Sequence, residues 1–226
     1  MEKRRNYKQF CGLARALDHV GERWTLLIVR NLLLGPKRYT DLSEELPGIT
    51  TNLLALRLRE MESLGLVVKR KARAPVRATV YELGPMGRAL EPAVMELARW
   101  GGRFMTEVGD DTLNIGWALL SLKRRYRGGL NLVVELDLGE RAFELAFTPG
   151  YLAVTEARAV RPDLSVKGSL AAIRAWLFQR GDASALRAGG ELVVSGDEVG
   201  FQALLGAFNP REKSAEDVAA RYSLPG

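Results

Sequence analysis

Two residue types that build chemical sites are almost missing from this chain of 226 residues, which has one cysteine, Cys11, and one histidine, His19. One thiol excludes an internal disulfide framework and a clustered thiolate site, and one imidazole leaves nothing to assemble a histidine-rich metal centre. No metal and no cofactor is therefore expected. Apolar runs never approach the roughly 20 residues of a membrane span. The basic start MEKRRNYKQF leads into an amphipathic segment and not into a signal-peptide core, so a cytoplasmic protein is expected. The patterns GxxxxGK[ST], GxGxxG and GxSxG are also missing, which removes a phosphate-cradling loop and a nucleophile elbow from consideration. The chain reads as a binding protein, not an enzyme.

What is present is positive charge, unevenly placed. Residues 1–108 carry 19 Lys or Arg against 12 Asp or Glu, net +7, while 109–226 carry 14 against 15, net −1. Length alone suggests two units of roughly 100 residues. The charge split suggests that the first, 1–108, meets a polyanion and that the second, 109–226, does something else. DNA is the commonest such polyanion.

Helical spacing of apolar residues runs through Leu13, Ala14 and Leu17, and again through Trp24, Leu27, Ile28 and Leu32, with a break at Gly21 and a stop at Gly35-Pro36. A third helix, TDLSEEL, is expected with Thr40 as its cap, ended by the Pro47-Gly48 turn. In the fourth, Leu54, Leu58, Met61 and Leu64 form one stripe that continues to Leu66 past Gly65. Thr51, Asn52, Ala55 and Arg59 fall on the other face, with Leu53 and Leu56 on the flank, suited to a neighbouring helix or a partner subunit. A short helix, a tight turn and a helix opening Thr-Thr-Asn make a helix-turn-helix, whose second helix enters the major groove by its N-terminal end. The following VVKRKARAPVRATVYEL reads as a β-hairpin with Lys69, Arg70, Lys71, Arg73 and Arg77 toward its tip, a wing. Thr40 and Thr50 complete the candidate DNA-contacting set.

The stretch CGLARALDHVGERWTLLIVRNLLLGPKRYTDLSEELPGITTNLLALRLREMESLGLVVKR, continued by YELGPMGRAL, closely resembles the HxlR type of bacterial winged-helix transcription regulators. The resemblance covers about the first 105 residues. It implies a homodimer, with the N-terminal helix and a helix from Arg88 to Phe104 forming much of the interface, and two recognition helices spaced for a palindromic operator on double-stranded DNA. It implies that Thr51, Asn52 and Ala55 face the groove, that Arg57 and Arg59 reach phosphates or bases, and that the wing tracks the backbone. Glu22 departs from the family, which more often has Gly or Lys there. Some members use a cysteine matching Cys11 as a redox sensor; the plainer alternative is an inert buried thiol. Arg15, one turn on, would favour a thiolate, and His19 is expected to pack or cap.

After the linker-like TEVGDD, a helix is expected from Thr112 to Tyr126, then strands Leu130–Leu138, Arg141–Thr148 and Tyr151–Ala157 as an antiparallel meander with two-residue turns. A strand over Asp163–Lys167, a helix capped by Ser169, the strand ELVVSGD and a helix Glu198–Phe208 complete an α+β domain, an antiparallel sheet covered by helices. The strand-to-helix step PDLSVKGS, the G-x-L-x-V-x-GD strand and the closing apolar helix make this segment similar to the sterol-carrier-protein type 2 fold. That resemblance implies an apolar tunnel for a hydrophobic small molecule. Its candidate lining is Val134, Leu136, Phe143, Leu145, Phe147, Ile173, Trp176, Leu177, Phe201, Leu204, Leu205 and Phe208. Ordinary core is the competing reading of the same alternation. Two functions remain: a homodimeric regulator with a hydrophobic effector, or a lipid carrier whose basic half binds anionic surfaces.

Overall fold

The computed structural model describes residues 6–72, 78–105, 114–179 and 181–208, without the side chain of Leu205. The chain divides into two compact units, Met1–Val94 and Met95–Gly226.

In the first unit, α1 (Gly12–Val20) buries only Ala14, and α2 (Thr25–Leu32) buries Ile28, Val29 and Leu32. The two-residue strand β1 (Lys37–Arg38) runs straight into α3 (Tyr39–Glu44). Thr40 does not cap α3: the cap position is Arg38, and Thr40 sits inside the helix, exposed. Asp41 accepts the backbone N–H of Arg38 at 2.8 Å and its guanidinium at 2.7 Å, so a carboxylate in the first turn does the work expected of the threonine. Burial opposes the Asp41 charge, but the bonds from Arg38 outweigh it and hold the carboxyl below its ordinary value of 3.8. A carboxyl depressed on folding contributes stability that is complete above pH 3.8 and is lost as pH falls through the lower folded value. Asp41→Asn is therefore expected to cost about 1 kcal/mol at neutral pH, a difference that vanishes toward the acid end of a urea-unfolding series.

The turn at Gly48 (φ +89°) leads to α4 (Thr51–Ser63), whose first turn is capped by Thr50 Oγ1 accepting from Leu53 N at 3.3 Å. Leu54, Leu58 and Met61 are buried on one stripe. The helix closes with Gly65 N donating to Glu62 O and Leu66 N to Met61 O, which needs the left-handed backbone that Gly65 (φ +68°) adopts freely. Strands β2 (Val67–Lys71) and β3 (Thr79–Leu83) pair in antiparallel register from Val67–Leu83 to Lys71–Thr79, and β1 adds to β3, giving the order β1-β3-β2.

The single helix expected from Arg88 to Phe104 is instead α5 (Pro85–Arg88), α6 (Glu91–Gly101) and a 3-10 turn, Gly102–Phe104. Pro92 explains the break before α6, since it tolerates only a first-turn position. Close packing fixes the entry to α5: a Cβ on Gly87 would lie 2.1 Å from the carbonyl oxygen of Leu66.

In the second unit, α7 (Ile115–Arg125) is capped by Asn114. Strands β4 (Leu132–Asp137), β5 (Ala142–Thr148) and β6 (Tyr151–Thr155) form the expected meander, followed by β7 (Leu164–Gly168), α8 (Leu170–Phe178), the unexpected α9 (Ala183–Ala188), β8 (Leu192–Gly196) and α10 (Glu198–Leu205). The five-stranded sheet has the order β6-β5-β4-β7-β8. It is mixed and not antiparallel, because β7 lies parallel to β4. Asp163 sets that pairing, donating its N–H to Val133 O at 2.8 Å and accepting from Val133 N on Oδ2 at 2.6 Å. One face of the sheet buries Leu132, Val134 and Leu136 opposite Phe147, Leu145 and Phe143. Helices α7, α8 and α10 pack on β6 and β7.

Candidate nucleic-acid interface

The N-terminal end of α4 stands in solvent. Thr50, Thr51, Asn52 and Arg59 are exposed and Ala55 is half-buried, so the side chains assigned to the groove do share an open face. Two contacts set where that end lies. Tyr39 Oη donates to the carbonyl oxygen of Thr51 at 2.6 Å, and the ring of Trp24 reaches the Gly48 turn, its Cη2 lying 3.7 Å from where a Cβ on Gly48 would sit. Trp24 holds a left-handed backbone (φ 83°), a strained conformation for an aromatic residue, with the Arg23 guanidinium 5.1 Å from its ring centroid. Nothing in the sequence pattern signals either contact, since Tyr39 lies just before the expected third helix and Trp24 reads simply as one apolar position of helical spacing.

Arg57 is not on the open face. Its Nη2 donates to Glu22 Oε2 at 2.8 Å, its Nη1 donates to Glu60, and its side chain is only 14% exposed. On β2, Lys69, Arg70 and Lys71 are exposed; Arg70 pairs with Glu82 at 2.6 Å, and Lys69 Nζ lies 5.7 Å from the Tyr81 ring centroid. Arg73 and Arg77 fall outside the described residues.

Beneath this face lies a buried polar pair. Lys37 Nζ meets Glu45 Oε1 at 2.7 Å with the two side chains 8% and 16% exposed, which ties β1 to α3. Burial also pushes Arg30 down to about 10, partly offset by Glu45. Cys11 is exposed at the N-cap position of α1, not buried, and the backbone amides of Ala14 and Leu13 hold its thiol below its ordinary value. Arg15 turns to Asp18 at 3.6 Å. His19 lies exposed in the last turn of α1, where a cation suits the helix end.

A model of the HxlR-like helix-turn-helix family matches residues 19–108. The regulator YkvN of Bacillus subtilis (strain 168) is 33% identical over 94 residues, which span 42% of this chain and 80% of that protein. The chain belongs to the HxlR-like helix-turn-helix family. Two further relatives from the same organism agree: YybR, 32% identical over 102 residues (44% of this chain, 82% of that protein), and YodB, 34% identical over 95 residues (42% and 84%). All three bear the name of HTH-type transcriptional regulators. The first unit of this HxlR-like chain is accordingly the winged helix-turn-helix of a DNA-binding transcriptional regulator, and the family model ends at residue 108.

In that second unit the residues assigned to an apolar pocket are buried: Val134, Leu136, Phe143, Leu145 and Phe147 from the sheet, Ile173, Trp176 and Leu177 from α8, and Phe201 and Leu204 from α10. Trp176 and Phe201 bring α8 and α10 together with ring centroids 5.7 Å apart. Phe208, half-buried, lies 6.1 Å from Phe147 beside Tyr126. The Leu205 side chain is outside the described set. Among the described residues no helix is long and apolar enough to cross a membrane, and no group of three or more metal-capable side chains occurs.

Proposed function

We propose that the protein is a homodimeric regulator that reads a palindromic operator with α4, steadies itself on the backbone with the wing, and responds to a hydrophobic small molecule held by residues 109–226, a sterol-carrier-protein type 2-like domain. The observation that carries the reading is the exposed Thr51-Asn52 end of α4 next to the exposed cations of β2. Small polar side chains at a helix start admit the helix deep into a major groove, where an asparagine can bond adenine through two atoms.

Two exposed apolar faces supply material for a dimer: Leu13 and Leu17 on α1, and Leu97 and Trp100 on α6, where the Trp100 ring packs edge-on to Phe104 at 5.0 Å. Exposed apolar surface of this kind marks interaction sites. An effector would bear on the sheet-and-helix core of the second unit, whose Trp176–Phe201 contact bridges two helices. Cys11, exposed and with its thiol held below its ordinary value by the backbone amides of Ala14 and Leu13, belongs to the same unit.

Asn52→Ala tests the reading. Base contacts specify and phosphate contacts position, so the variant is expected to lose about 1 to 3 kcal/mol on the selected operator and much less on random duplex. Equal losses on both would remove Asn52 from base reading.

A further inference from the structure

Arg57 of α4 and Glu22, in the corner between α1 and α2, meet each other. Taking 100° per residue, Thr51, Asn52, Ala55 and Arg59 centre on one direction of α4, and Arg57 points ~180° away from it. From that far side it reaches the corner between α1 and α2, where Glu22 accepts its Nη2 at 2.8 Å across 35 positions of sequence. Glu60, one turn along α4, holds the other terminal nitrogen, and Arg57 Nε is buried with no partner among the described residues. The guanidinium is thus occupied on the protein side and only 14% of its side chain meets solvent.

Glu22 is two residues from Trp24, whose strained backbone and ring contact fix the same corner against the Gly48 turn. The corner therefore touches α4 at two places: before its first residue through Trp24, and at its middle through Glu22. A rigid helix held at two separated points has its tilt set, not just its position. Groove recognition is sensitive to that tilt, because a misplacement of about 1 Å at a base edge spoils a hydrogen bond.

We propose that Glu22 and Arg57 form a positioning link that sets the angle of α4, so that Arg57 determines operator specificity through the α1–α2 corner without touching DNA. The inference rests on the reading of α4 as the groove-entering helix. It also gives α1, capped by Cys11 at its start and by Gly21, beside Glu22, at its end, a direct mechanical route to the DNA-reading end.

The test uses the full-length protein, an operator duplex selected from a random pool, and a random duplex of equal length. Affinities are measured over a range of salt for wild type, Glu22→Gln, Arg57→Met and the double variant. Loss of a negative charge strengthens binding to any DNA, so the readout is the ratio of operator to random affinity. The link predicts that each single variant lowers this ratio about tenfold, that the double variant lowers it no further, and that the Arg57→Met salt slope equals that of wild type after correction for net charge. A phosphate-contacting Arg57 would instead make the dimer's slope shallower by about 2, with Glu22→Gln harmless, and that result overturns the proposal. Hydrogen exchange of the α4 amides without DNA separates failure of the link from failure of the functional reading. Faster exchange in Glu22→Gln supports the link even if wild type shows no operator preference, and unchanged exchange overturns it.

Discussion

Phe143→Ala is expected to destabilise the second unit by about 3 to 5 kcal/mol, the cost of removing a large buried ring and leaving its cavity. Phe143 has no solvent exposure, pairs across the sheet with Leu136, and carries the Arg141 guanidinium 5.1 Å from its ring centroid. It lies near the start of β5, one residue before the pairing with β6 begins, and is wholly buried against β4. The check is urea unfolding followed by circular dichroism, with the transition assigned to the second unit by Trp176 fluorescence. A loss below about 1 kcal/mol would show that this face is not the packed core described above.

The same residue shows what a sequence can reveal. Val134 and Leu136 alternate with Glu135 and Asp137, and a period of two is enough to place them, with Phe143 and Leu145, on a buried face. It is not enough to give the direction of β7, since parallel and antiparallel strands alternate alike. That direction depends on Asp163 bonding to Val133, a contact across 30 positions that no local pattern contains. In the first unit, the stripe of Leu54, Leu58 and Met61 was legible from its helical period. The start of α3 was not: the sequence pointed to Thr40 as its cap, but β1 pairing with β3 carries strand geometry to Arg38, which takes the cap position. The Arg57–Glu22 pair was hidden for a related reason: 35 positions separate the two residues, and only the fold brings them together.

Lys37→Met should cost about 1 to 3 kcal/mol in the stability of the first unit, because it removes the bonded partner of the largely buried Glu45 carboxylate and leaves Arg30 as its nearby charge. Glu45 Oε2 is already buried without a hydrogen bond among the described residues, so Oε1 loses the bond on which the group depends. The paired variant Lys37→Met/Glu45→Met is expected to recover most of that loss, since two apolar side chains of similar volume avoid the uncompensated charge. If both variants unfold alike, the packing of the Lys37 stem between β1 and α3, and not the charge pair, holds this corner. DNA binding by the double variant also matters: α3 carries Tyr39, which fixes the Thr51 end of α4 at 2.6 Å, so operator affinity should follow the recovery of stability.

The central claim is that the basic first unit reads sequence and does not merely attract polyanions. The most direct measurement is the affinity of the full-length protein for its selected operator, for random duplex and for anionic phospholipid vesicles, each at several salt concentrations. The account predicts an operator preference of about a thousandfold or more over random DNA near physiological salt, with vesicles weaker still. Equal affinity for operator, random duplex and vesicles, falling together as salt rises, would contradict it and leave a carrier whose positive half binds any anionic surface.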